Sequence, residues 1–303
     1  MPLEDFLKAL DTIPPSRRPK EFTVVLTGGE PLLRPDIAEA GRAICSRGLG
    51  WGMVSNGWFY DEKMHETLKG AGMGALTISL DGLEASHDWM RGRPGSYSRT
   101  LRAISIAAAE PRLAFDVVTC VNRRNLQELP EIYCVLSGLK VRHWRIFTII
   151  PVGRAAKDPD MQLSDGQMVS LMEFIKEKRL EGGTTEVSFS CEGYLGKYEE
   201  KVRQNRFFCH AGVNIASVLI DGRISACPNV DRDLFSQGNI YEDNLYEVWE
   251  RRFQAFRRHD WAKEGKCATC KQWKDCLGNG MHNWHGPSCE PLQCHYSALN
   301  GPE

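Results

Sequence analysis

Seven of the eleven cysteines, Cys209, Cys227, Cys267, Cys270, Cys276, Cys289 and Cys294, crowd the last third of the 303-residue chain. Cys267 and Cys270 are separated by two residues, which places two thiols on one turn at the separation a shared metal centre needs. Cys276, Cys289 and Cys294 follow. Upstream, Cys209 and Cys227 bracket two alternating apolar runs joined by Asp221-Gly222, the pattern of a hairpin whose open end brings these two cysteines together. No secretion signal precedes them, so metal or redox chemistry is expected rather than disulfides. Zinc in a four-cysteine ribbon would leave three thiols without a role. Two iron–sulfur clusters would use all seven, with one iron left open or held by another ligand; His282, His285 and His295 lie close by in sequence. Cys45, on the apolar face of a helix with Ile37, Ala40, Gly41 and Ile44, reads as a small core residue.

A second set of residues points to a polar ligand. The apolar run 22–26 ends at Gly28-Gly29-Glu30-Pro31, a strand that stops where a ligand can approach the backbone. Without a Cβ at Gly28 or Gly29 the strand-end carbonyls are open to an ammonium donor, Glu30 adds a charged acceptor, and Pro31 ends the ladder. Two further apolar runs end at Ser55-Asn56-Gly57 and Ser79-Leu80-Asp81-Gly82.

The elements that must position these tips alternate along the chain. A helix over 3–10 opens it, and strands at 22–27, 50–55, 75–80, 113–121 and 142–150 alternate with helices over 36–47, 61–71, 97–109, 130–136 and 164–179. A long loop is expected between Gly82 and Gly95, and a last edge strand at 187–189. Repeated strand–helix units build a parallel sheet whose working residues lie at the carboxyl ends of its strands. There the three tips converge on one pocket of hydroxyl, amide and carboxylate groups suited to a ligand containing a sugar.

Lysine plus arginine (38) nearly cancels aspartate plus glutamate (39), so the charge balance calls for neither nucleic acid nor an anionic membrane as partner. No apolar stretch approaches the ~20 residues of a membrane span, and a cytoplasmic protein is expected.

The three tips, together with Pro151-Val152-Gly153-Arg154-Ala155, resemble the radical S-adenosylmethionine enzymes over residues 1–183. The resemblance implies that Gly28, Gly29, Glu30 and Pro31 hold the amino group of S-adenosylmethionine, that Ser55, Asn56, Ser79 and Asp81 lie near its ribose and carboxylate, and that the backbone at Ile149 and Ile150 faces its adenine. Arg91, in the loop expected after the third tip, is expected in a salt bridge rather than on the cofactor. Residues 209–294 resemble the SPASM domain, an auxiliary-cluster module. That implies Cys267, Cys270, Cys276 and Cys294 on one [4Fe–4S] cluster and Cys209, Cys227 and Cys289 on the other. Where that pattern has a cysteine four residues after Cys276, this chain has Gly280, and Cys289 is expected to take that role. Sulfatase-maturing members carry an acidic base directly after the hairpin cysteine, whereas Pro228-Asn229 follows Cys227, which disfavours that activity.

The Cys-x3-Cys-x2-Cys loop that holds the catalytic cluster of the family occurs nowhere in the chain. A late start at Met1 or a truncation is the expected reason, with a homologue without catalytic iron as the alternative. The expected architecture is α/β: a partial (β/α)6 barrel lacking its first strand over 1–183, a linker over 184–208, and a small cysteine-rich domain over 209–303. The resemblance implies reductive cleavage of S-adenosylmethionine to a 5′-deoxyadenosyl radical for modification of a peptide or protein, with reduced flavodoxin or ferredoxin as electron donor. The alternatives are a radical enzyme acting on a small cofactor precursor and a zinc- or iron–sulfur-braced scaffold without catalysis.

Overall fold

The computed structural model describes residues 1–19, 21–190, 192–285 and 290–301. The chain forms two compact units.

The sheet unit comprises Pro19–Ile149 and Asp158–Ser190. Its strands are β1 (Thr23–Leu26), β2 (Gly50–Ser55), β3 (Met73–Ser79), β4 (Ala114–Val121), β5 (His143–Thr148) and β6 (Glu186–Phe189), in sequential order in one sheet and parallel throughout. The crossovers carry helices α2 (Ile37–Cys45), α3 (Glu62–Gly70), α4 (Glu84–Arg91), α5 (Ser96–Ala108), α6 (Leu129–Gly138) and α7 (Asp165–Glu181). Six neighbouring parallel strands joined by helices make a partial (β/α) barrel. Strand periodicity sorts its two faces. Trp51, Leu76, Ile78, Val117, Trp144, Ile146, Val187 and Phe189 are buried. The indole of Trp51 lies over Gly41 of α2, where an added Cβ would stand 2.3 Å from the ring, and its Nε1 donates to the Ala71 carbonyl at 2.9 Å. Trp144 meets Phe174 of α7 edge-on. The alternate residues, among them Val25, Thr77, Ser79, Asp116, Cys120, Arg145 and Phe147, lie on the opposite face and remain partly or fully exposed.

Local signals set the helix ends. The Asp61 carboxylate caps α3 by accepting from the Met64 amide at 2.8 Å, and Ser164 with Gln167 forms a capping box at α7. Asp36, by contrast, makes no capping bond and pairs with Arg34 at 2.6 Å. Two expectations are corrected. The stretch after Gly82 is helical as α4, because Asp88 also caps the next helix, accepting from the amides of Gly95 and Tyr97 at 2.6 and 2.8 Å, and this draws the segment into a helix–turn–helix. Cys45 is exposed, since it is the last residue of α2 and its Sγ faces the carbonyls of Ala71 and Gly72.

The cysteine unit comprises Met1–Arg18, Ile150–Lys157 and Cys191–Glu303. It contains α1 (Leu3–Asp11), the short helices α8 (Glu199–Val202) and α9 (Arg232–Phe235), α10 (Leu245–Arg252), and an antiparallel sheet of β7 (Ser217–Val218), β8 (Arg223–Ser225) and β9 (Gly238–Asn239). The hairpin forms with Gly222 at φ +85°, but only Ser217 and Val218 pair with β8. An aromatic core of Phe235, Phe253, Phe256 and Trp284 includes Ala9 of α1 and packs against Cys209 and Cys227. Glu199 and Arg203 are both buried and ion-paired, with Arg203 Nη2 donating to the Gly193 carbonyl at 3.0 Å. Thus β6 falls within the stretch 184–208 read as a linker, and α1 groups with the C-terminal third. No described helix is long and apolar enough to cross a membrane.

Candidate functional site

At the carboxyl end of β1 the backbone opens at Gly28, with φ +135°, and an added Cβ at Gly28 or Gly29 would meet nothing within 4 Å. The Glu30 carboxylate beside them is already engaged. Its Oε1 accepts from the Leu32 amide at 3.1 Å and the Ser55 hydroxyl at 2.8 Å, and its Oε2 accepts from the Asn56 amide at 2.8 Å. Glu30 therefore ties the tip of β1 to the tip of β2, and one acceptor position of the carboxylate is left over. Asn56 in turn accepts from the Trp58 amide at 2.8 Å, and its side-chain NH₂ has no partner among the described residues. Trp58 is held between two guanidinium groups, Arg93 at 3.4 Å and Arg99 at 4.4 Å from the ring centroid.

The third tip is knitted more tightly. Asp81 is 1 % exposed, its carboxylate accepting from the Cys120 amide at 2.8 Å and paired with Arg91, as expected of that arginine. Its own amide donates to Nδ1 of the fully buried His87 at 3.0 Å, and Asn125 Nδ2 donates to its carbonyl at 2.9 Å. An imidazole that accepts at Nδ1 carries its proton on Nε2, which faces the hydroxyls of Ser96 and Thr100 at 3.3 Å. Burial pushes the His87 pKa down to about 4. Glu128 closes the far side, accepting from the Leu83 amide at 2.8 Å and the Ser86 hydroxyl at 2.6 Å. The sequence reading missed His87, Asn125 and Glu128 as site builders; the available signal was a cluster of side-chain amides and acids directly after an apolar strand. Asp81 is thus a positioning group rather than an exposed ligand. Ser79 is half-buried on the open face, its hydroxyl without a partner among the described residues. Ile149 follows β5 in the sheet unit, whereas Ile150 belongs to the cysteine unit and its carbonyl accepts from Val152 at 2.8 Å.

Across the open face, Thr77 donates to Asp116 Oδ1 at 2.6 Å, and Arg145 pairs with Asp116. The arginine, whose Nη2 also donates to the Thr77 hydroxyl at 3.4 Å, remains 41 % exposed.

Among the C-terminal thiols, none of the nine described cysteines is in a disulfide. Cys267, Cys270, Cys276 and Cys294 lie close enough to oppose one another's ionisation. Burial first, then Cys294 and Cys270, raise the Cys267 pKa, and burial pushes the Cys276 thiol up to about 12. Against that, the backbone N–H groups of Asn279 and Gly278 turn toward the Cys276 sulfur. They do so because Leu277, Gly278 and Asn279 all have positive φ, +49°, +83° and +68°, a left-handed run that converges amides on an anion. Asn279 is buried and clamps the turn, accepting from the Tyr194 amide at 3.2 Å and donating to the Gln293 carbonyl at 2.9 Å. Cys209 Sγ accepts from the Met281 amide at 3.5 Å. Cys289 lies outside the described residues. No three His, Cys, Asp or Glu side chains among the described residues close on a point as the ligands of one ion do.

Two family models match the chain: the radical SAM superfamily over residues 1–133 and an iron–sulfur cluster-binding domain of the SPASM type over residues 209–271. The chain belongs to the radical S-adenosylmethionine superfamily. It is 28% identical to an AdoMet-dependent heme synthase of Methanosarcina barkeri over 278 residues, covering 84% of this chain and 76% of the relative. It is 25% identical to the PqqA peptide cyclase of Rhizobium meliloti over 259 residues, 84% of this chain and 67% of the relative. Its fold matches that of SuiB from Streptococcus suis, solved with S-adenosylmethionine bound, at a TM-score of 0.71 and 16% identity over 93% of this chain and 67% of that one. This radical S-adenosylmethionine protein is accordingly an enzyme with a C-terminal SPASM domain, and its cofactors are S-adenosylmethionine and [4Fe–4S] clusters. The residues present fit both: an uncovered glycine cradle at a strand end for the first, and clustered thiols with amides turned on them for the second.

Proposed function

We propose that the protein modifies a peptide or protein by radical chemistry, with S-adenosylmethionine at the carboxyl ends of β1 to β3. When bound and reduced by one electron from an iron–sulfur cluster, S-adenosylmethionine would supply a 5′-deoxyadenosyl radical for hydrogen abstraction, with methionine as the other product. The open carbonyls beside Gly28 and Gly29 and the remaining lone pair of Glu30 receive the ammonium group. The side-chain amide of Asn56 and the hydroxyl of Ser79 serve the carboxylate and ribose, Pro31 and Ser55 fix the tips, and Ile149 lines the adenine end. Asp81 acts by holding Arg91 and the turn after β3. Cys267, Cys270, Cys276 and Cys294 hold one auxiliary cluster and Cys209, Cys227 and Cys289 the other, with reduced flavodoxin or ferredoxin as the electron source.

The observation that carries this reading is the uncovered glycine pair at the end of a strand whose neighbouring carboxylate locks it to the next strand. The peptide class is supported by the relative named as a peptide cyclase. A second reading, a small carboxylate-bearing cofactor precursor, is favoured by the relative named as a heme synthase and by the partly exposed Arg145 on the open face. The test is release of 5′-deoxyadenosine from S-adenosylmethionine by the full-length gene product, prepared without oxygen and reduced with dithionite. Release is expected from the native protein and its loss from Gly29→Val. Mass change in a peptide encoded beside the gene would uphold the first reading, and change only in an iron porphyrin would replace it with the second. No 5′-deoxyadenosine under any condition would sink both.

A further inference from the structure

We infer that His282 is an iron ligand, joining Cys209 and Cys227 on an auxiliary cluster in place of a cysteine missing from position 280. The inference rests on the reading that the C-terminal cysteines hold iron–sulfur clusters. It starts from Gly280, where the SPASM pattern calls for a thiolate. A side chain there has no room: an added Cβ would stand 2.5 Å from Cε1 and 2.9 Å from Nδ1 of His282. The imidazole of residue 282 thus fills the space that a side chain at 280 would occupy.

The same turn, Met281–Asn283, presents the Met281 amide to Cys209 Sγ at 3.5 Å. An N–H directed at a sulfur beside a nitrogen donor is how proteins arrange the surroundings of cluster ligands. His282 differs from the other histidines in having neither hydrogen bond nor ion pair among the described residues. His65, His87, His210 and His259 are hydrogen-bonded, and His143, His285 and His295 face Glu186, Asp231 and Glu192. A mostly buried imidazole with both nitrogens uncommitted, set in the space left by a lost ligand, has a donor to give. Met281, Asn283 and Trp284 around it are buried, so the turn that aims the ring is fixed by packing.

Nitrogen for sulfur on one iron also raises the reduction potential of a cluster, as it does where histidines replace cysteines in other iron–sulfur proteins. The test uses this chain prepared without oxygen, with histidine labelled in turn with ¹⁴N and ¹⁵N, and reads the reduced clusters by pulsed electron paramagnetic resonance. A directly bound histidine nitrogen is expected in the native protein. In His282→Ala the nitrogen coupling disappears and the iron content falls by up to half. In His282→Cys the iron is retained, the nitrogen coupling is lost and the potential falls. His282→Cys decides the matter if the alanine variant fails to fold. Iron present with the nitrogen coupling unchanged in either variant overturns the role of His282 alone. Native protein without iron overturns that role together with the cluster reading beneath it.

Discussion

His87 carries more information than its sequence context suggested. Fully buried, accepting at Nδ1 from the Asp81 amide, it is held neutral with a pKa lowered to about 4 by desolvation. The unfolded chain binds that proton near pH 6.5, so the stability due to neutral His87 is complete above pH 6.5 and is lost as the pH falls toward 4. The amount at stake is on the order of 3 kcal/mol. Proton NMR should find His87 uncharged at pH 5.5 while exposed histidines titrate, and His87→Asn should flatten the pH dependence of amide exchange in β3 and β4 between pH 6.5 and 4. An ordinary titration of His87 near pH 6.5 would contradict the buried hydrogen-bonded geometry. At this scale the sequence was legible where residue type dictates backbone geometry, as at the end of β1, where Gly28 takes φ +135°. It was not legible where burial decides the role, as for Asp81, whose carboxylate is turned to the Cys120 amide and Arg91 and away from solvent.

The element that makes the ligand end of the sheet is the pair of strand tips joined by Glu30. Both tips could be read from apolar runs ending in glycine, but the bond between them joins residues 25 and 26 apart in sequence and leaves no local signal. Similarly, α4 was hidden because Gly82 and Gly95 bracket a stretch of mixed polarity; its helix is secured by Asp88 capping the next one. Cys45 was misplaced for the opposite reason, since an apolar helical face was extended one residue past its end. Removing the strand-tip clamp should therefore damage binding more than folding. Glu30→Ala leaves the Asn56 amide and the Ser55 hydroxyl without their acceptor, a cost of about 2 kcal/mol. Calorimetric titration with S-adenosylmethionine should show tenfold or greater weakening with the circular dichroism spectrum retained. Unchanged affinity would mean that the tips do not form the cofactor site.

For the whole molecule, the sequential order of six parallel strands and the concentration of thiols in the C-terminal third were both readable from periodicity and spacing. The division of the chain was not, because α1 contributes Ala9 to a core otherwise built from residues beyond 208, and such long-range packing has no pattern in the sequence. In the proposed function the two units share iron, because reductive cleavage of S-adenosylmethionine takes its electron from an iron–sulfur cluster. The most direct measurement is elemental analysis of the chain prepared without oxygen, for iron, acid-labile sulfide and zinc together. Iron and sulfide in equal amounts, sufficient for two [4Fe–4S] clusters, are expected. Zinc without iron or sulfide would contradict the radical-enzyme reading of the C-terminal unit and leave a metal-braced scaffold in its place.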